Sequence, residues 1–107
     1  MRIILASKSG VRKKILNDFK IDCQVIASQV DEDEVKKSLL AEGADPLIIS
    51  KNLAEIKSIK VSSKNPDRLV IGADSAISLQ NQLINKPRSR DEALSILKKL
   101  NNSVHYL

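Results

Sequence analysis

The sequence predicts an α/β domain in which a mixed, twisted sheet is flanked by helices. Three observations carry this expectation. Apolar runs of strand length, residues 3–5 and 69–73, are separated by stretches whose apolar residues recur at helical spacing. Ser9, Asp45 and Ser89 stand just ahead of such stretches, where helix N-caps belong. Strand-like and helix-like segments alternate along the chain, which is the pattern of α/β proteins rather than of bundles or sandwiches.

Each element has its own signal. Residues 3–5 (Ile-Ile-Leu) read as a short buried strand, and residues 6–10 are small or flexible. A helix is expected over residues 9–19, with Val11, Ile15, Leu16 and Phe19 on its apolar side. Residues 23–27 (Cys-Gln-Val-Ile-Ala) form a second strand, with Cys23 as a core residue. The acidic cluster 31–34 precedes a helix carrying Val35, Leu39 and Leu40. Gly43-Ala44-Asp45-Pro46 is a break and a restart, with Asp45 as N-cap and Pro46 at the first helical position. That helix runs to about residue 61 and carries Leu47, Ile48, Leu53, Ile56 and Ile59. Residues 63–67 are a loop.

The run 69–73 (Leu-Val-Ile-Gly-Ala) reads as a strand covered on both faces. Residues 76–79 form another strand, 80–82 a polar turn, and Lys86-Pro87 lies in a loop. Ser89-Arg90-Asp91-Glu92 is a capping-box pattern. It opens a helix carrying Ala93, Leu94, Ile96, Leu97 and Leu100, which Asn101-Asn102 closes. Residues 103–107 look like the start of a strand, so the chain ends inside an element. With no repeat and no low-complexity linker, residues 1–107 are expected to form one domain.

Composition narrows the function. The chain is 42% hydrophobic and 29% charged, as globular proteins are. Phe19 and Tyr106 are its only aromatic residues, so the core is aliphatic and base stacking on aromatic platforms is disfavoured. The net charge of +5 suits anionic partners, but the charge is spread along the chain, which argues against nucleic acid. The single cysteine, Cys23, excludes a disulfide framework and suits a reducing cytoplasm. No apolar run is long enough to span a membrane or to act as a signal peptide.

Several residues can carry chemistry. Ser7 and Ser9 sit where a strand gives way to a helix, with Arg12, Lys13 and Lys14 one turn on. Free N–H groups and the positive end of the helix dipole make that turn a candidate phosphate cradle. The same residues also suit an ordinary N-cap followed by a solvated face, and no glycine-rich P-loop is present. Asp74 ends an apolar strand, where ligands of α/β folds gather; it can be a general base, a metal ligand or a turn cap. Asp31 and Glu32 can hold a hard cation or simply cap a helix. Lys57 stands among Lys51, Glu55 and Lys60, and on that ground reads as part of a solvated face. Lys86 is held still by Pro87, which favours a working cation. His105, the only histidine, is too isolated for a metal cluster.

In order along the chain, residues 5–12 (Leu-Ala-Ser-Lys-Ser-Gly-Val-Arg), 30–32 (Val-Asp-Glu), 53–57 (Leu-Ala-Glu-Ile-Lys), 70–74 (Val-Ile-Gly-Ala-Asp), Lys86-Pro87, 91–93 (Asp-Glu-Ala) and His105 resemble the Maf-like nucleoside triphosphate pyrophosphatases. The resemblance covers essentially the whole chain. It implies a Maf/ITPase-like fold, lacking the C-terminal half, and hydrolysis of nucleoside triphosphates to the monophosphate and pyrophosphate with a divalent cation, Mg²⁺ or Mn²⁺. It also implies roles: Asp74 as base or metal-site carboxylate, Glu32 as a second metal-site acid, and Ser7, Ser9, Arg12, Lys57 and Lys86 as the triphosphate grip.

Two features depart from the family. Its turn commonly reads Ser-Pro-Arg-Arg where this chain has Ser9-Gly10-Val11-Arg12, and a branch acting on 7-methyl-GTP often has a bulky aromatic where Val11 stands. Family members are also nearly twice as long, so the chain resembles an N-terminal half. The alternatives are a non-catalytic nucleotide-binding fragment and a small basic nucleic-acid-binding domain. An open sheet edge would also favour a homodimer.

Overall fold

The computed structural model describes residues 2–101 and 103–107. The α/β expectation holds, and among the described residues the strands fall into two three-stranded sheets, one parallel and one antiparallel. In the first sheet β1 (Ile3–Leu5) lies between β2 (Cys23–Val25) and β3 (Val70–Ile71), all parallel. In the second, β4 (Ile77–Leu79) lies between β5 (Gln82–Ile84) and β6 (His105–Tyr106), all antiparallel. The direction of the pairs in the first sheet and of the β4–β5 pair follows from their connections. Helices join the strands of the first sheet, whereas a two-residue turn joins β4 to β5.

The helices start and stop where local chemistry dictates. Helix α1 (Gly10–Asp18) is capped by Ser9, whose Oγ accepts from the Arg12 N–H at 3.2 Å. It ends in a paired 6→1 and 5→2 closure, Ile21 N–H to Leu16 C=O and Lys20 N–H to Asn17 C=O. Helix α2 (Glu32–Ala41) is capped by Asp31. It closes the same way through Gly43, whose φ of +83° is one that L side chains rarely adopt. Helix α3 (Pro46–Ser62) has Asp45 as N-cap and Pro46 in its first turn. Helix α4 (Arg90–Leu100) opens on Ser89, whose Oγ accepts from the Glu92 N–H; Glu92 in return accepts from the Arg88 N–H. Asn101 caps its C-terminus; Asn102, paired with it in the sequence reading, lies outside the described residues, as does Met1.

The core is small and aliphatic. Among the described residues Ile4, Leu5, Ala6, Cys23, Ile49, Leu53 and Val61 are the buried hydrophobic side chains, and Val61 of α3 clusters with Ile4 of β1 and with Ala6 just after it. Several expectations are corrected here. The buried stripe of α3 is Pro46, Ile49, Leu53, Lys57 and Val61, while Leu47, Ile48 and Ile59 are exposed. Apolar residues occur around much of this helix, so periodicity alone does not say which side meets the sheet. The run 69–73 contains only a two-residue strand, half-buried and at the sheet's edge, because β1 rather than β3 is central. Gln82 opens β5 instead of belonging to the turn, which is Gln80-Asn81 at φ 50° and 63°. Val11 and Ile15 on α1 are exposed, as is its C-cap Phe19, and on α4 so are Leu94 and Leu97.

Candidate functional site

Three element ends converge beside the first sheet. The turn after β1 brings Ser7 and Ser9, the first turn of α2 brings Glu32, and the segment after β3 brings Asp74. Lys57 reaches the same point from the middle of α3, and Lys86 from the loop after β5. The result is a cleft of about 610 Å³, within the range of about 300–1,000 Å³ usual for small-molecule sites. All seven residues singled out in the sequence line it: Ser7, Ser9, Arg12, Glu32, Lys57, Asp74 and Lys86.

The hydroxyl turn is tied to the basic helix behind it. Ser7, 5% exposed, accepts through Oγ from the Ser9 N–H and from the Arg12 guanidinium, each at 3.1 Å. Arg12 also donates through Nη2 to Ser75 Oγ at 3.3 Å, bridging the turn to the residue after Asp74. Both serine hydroxyls act as acceptors in these bonds, so each still has a proton to donate to an anion in the cleft. Val11, where the family places a further cation or an aromatic, is exposed and does not line the cleft.

Lys57 corrects the solvated-face expectation. It is 6% exposed, and its ammonium contacts Glu32 Oε1, Asp74 Oδ1 at 3.3 Å and the Ala73 carbonyl at 3.4 Å. A lysine carries three donors, and here each has an acceptor. The available signal was its place in the i+4 series Ile49, Leu53, Lys57, Val61, where a cation interrupts an apolar stripe. Gly72 lets this contact form. A Cβ there would collide with the Ala54 carbonyl oxygen and stand 2.9 Å from Ser58 Cβ, so only glycine lets the chain pass close enough to α3 to set Asp74 beside Lys57.

Burial raises the Glu32 carboxyl's pKa, but the Lys57 hydrogen bond and charge, with the charges of Lys36 and Lys86, outweigh it and hold the group below its ordinary 4.5. The pair therefore adds stability that is complete above about pH 4.5 and is lost as pH falls through the lowered folded-state value. Urea midpoints of the wild type and Glu32→Gln are expected to differ at pH 6 and to converge as the pH falls through the lowered folded-state value. Glu32 is 39% exposed, so the gap is small.

The sequence reading missed Lys36, Lys8 and Ser75, which also line the cleft. Only Lys36 had a signal, its i+4 spacing from Glu32. Asp31, read as a possible ligand, lines the cleft with its side chain engaged as the α2 cap. His105 lies in β6 and does not line the cleft. Asp74 and Ser75 also border a second hollow of about 590 Å³, shared with Asp45, Ser78 and Tyr106.

The cleft suits a cation held jointly with a ligand. Glu32 and Asp74 both direct an oxygen at one ammonium, so they converge on a point that carries positive charge. Among the described residues no cluster of three or more His, Cys, Asp or Glu forms. Two carboxylates completed by phosphate oxygens and water are a normal set for Mg²⁺. Among the described residues no helix is long and apolar enough to cross a membrane.

Comparison with known proteins gives a consistent picture. A family model described as Maf-like protein matches residues 2–107. The chain is 57% identical over 105 residues to the nucleoside triphosphate pyrophosphatase of Pelagibacter ubique, covering 98% of this chain and 54% of that protein. It is 43% identical to the protein of that name from Caulobacter vibrioides, covering 98% and 52%. It is 36% identical to the 7-methyl-GTP pyrophosphatase of Brucella abortus, covering 100% and 54%. The chain thus spans about half the length of the curated relatives it matches.

Proposed function

This chain belongs to the Maf-like family, and from that premise we propose that it carries the phosphate-side half of a nucleoside triphosphate pyrophosphatase site. The observation that carries the reading is the meeting, in one cleft, of hydroxyls, cations and two carboxylates drawn from five separate segments. Water would add to the α-phosphorus and pyrophosphate would leave, giving the nucleoside monophosphate.

Each residue then has a role. Asp74 takes the proton of the attacking water. Arg12 and Lys86 face the charge that gathers on the phosphoryl oxygens, as do the hydroxyl protons of Ser7 and Ser9. Arg12 is held ready by Ser7 and Ser75, so little reorganisation is needed when substrate arrives. Glu32 and Asp74 would hold the divalent cation, Mg²⁺ or Mn²⁺, which when bound neutralises phosphate charge. Because Asp74 borders both hollows, a nucleotide centred there can lay its phosphates in one and its nucleoside in the other. A cytoplasmic setting fits both the substrate class and a reduced Cys23.

The test is phosphate release from a panel of nucleoside triphosphates with Mg²⁺ or Mn²⁺, using added inorganic pyrophosphatase and a malachite-green readout. Turnover of any member supports the reading in full. Nucleotide binding by calorimetry without turnover assigns the 107-residue chain as a nucleotide-binding half. The absence of both binding and turnover overturns the proposal. Light scattering of the same sample measures self-association, which the open edge of β3 favours.

A further inference from the structure

Lys57 is spent in a way that the triphosphate grip does not explain. A cation meant only for phosphate would leave donors free in the cleft, yet its three donors are engaged by Glu32, Asp74 and the Ala73 carbonyl. Two of those acceptors are the carboxylates that suit a divalent cation. We propose that the Lys57 ammonium is the resident counter-ion of this cation site, holding Glu32 and Asp74 together until an arriving phosphate chain draws it away.

The charges support the exchange. With Lys57 in place the three groups sum to −1, and the two carboxylates sit side by side without repelling. A divalent cation added between them would meet the ammonium at close range in a poorly solvated site, so it enters poorly while Lys57 stays. A triphosphate reverses the balance. It offers Lys57 new anionic partners, releases both carboxylates, and contributes its own oxygens to the cation. Metal and nucleotide therefore promote each other's binding, by the same factor in either direction. Lys57 is buried within the stripe Ile49, Leu53, Val61 of α3 and lines the cleft in which the phosphate chain would arrive. The displacing role of the phosphate rests on the function proposed above; the competition between Lys57 and a metal does not.

The experiment is Mn²⁺ binding, read from the electron paramagnetic resonance signal of free Mn²⁺, with the full 107-residue chain. Wild type with Mn²⁺ alone is expected to bind only weakly. Lys57→Met is expected to bind Mn²⁺ at least about tenfold more tightly, inside the range of about 5–150-fold usual for coupled sites. Adding Glu32→Gln to Lys57→Met should abolish that gain. Equal Mn²⁺ affinity in wild type and Lys57→Met overturns the proposal.

If Lys57→Met does not fold, the wild type still decides. A calorimetric titration with the uncleavable α,β-imido-UTP is expected to show at least about tenfold tighter binding with Mn²⁺ than without, and the converse for Mn²⁺. Tight Mn²⁺ binding by wild type without nucleotide overturns the exchange. If the analogue fails to bind while Lys57→Met gains Mn²⁺ affinity, the nucleotide reading fails and the counter-ion assignment stands.

Discussion

Asp74→Asn is expected to lower nucleoside triphosphate hydrolysis by about 10²–10⁴-fold, the usual contribution of a positioned general base. The measurement belongs to whichever form turns over, the 107-residue chain alone or joined to the remaining length that its relatives carry. Asparagine keeps the shape of the side chain and can still accept from Lys57, which donates to Asp74 Oδ1 at 3.3 Å. It lacks the charge that takes a proton and that helps to hold a cation. The loss should therefore fall on kcat, while the affinity for an uncleavable nucleotide changes less and the thermal melt shows a folded chain. Unchanged turnover would remove Asp74 from its assigned role.

Gly72→Ala is expected to destabilise the fold by about 1–3 kcal/mol, the range for overpacking a close contact, and to lower nucleotide binding with it. The added methyl would run into the Ala54 carbonyl oxygen and the Ser58 backbone nitrogen at 3.0 Å, both parts of α3 that cannot swing aside. The segment after β3 must then back away from the helix, separating Asp74 from Lys57. Folded proteins hold only about 5–15 kcal/mol in reserve, and so small a core leaves little to lose. Urea denaturation gives the stability change, and Mn²⁺-dependent nucleotide binding gives the effect on the site. A substituted chain as stable as the wild type would show that β3 and α3 do not need this close approach.

Much of the site was legible because its residues sit at punctuation points. Ser7, Ser9, Glu32 and Asp74 lie at strand ends and helix starts, where backbone N–H groups are left without partners inside the helix. Lys57 was not legible from charge alone, because neighbouring lysines on α3 are solvated and only the direction in which the sheet lies distinguishes it from them. Arg12 was legible as a cation. Its bridge to Ser75, across 63 residues of sequence, was not.

The sequence by itself determined where most helices begin and end, since caps such as Asp45-Pro46 and the Gly43 stop act within a few residues; the exception is α2, whose acidic cluster 31–34 supplies the cap and first turn instead of preceding the helix. It also determined the roster of hydroxyls, cations and acids available for chemistry. The tertiary structure decided which side of α3 is buried, that the strands divide into two sheets, and that Lys57 stands between two carboxylates. The physical reason is range. Capping and periodicity act along the chain, whereas burial and charge pairing depend on which surface arrives opposite from a distant part of it.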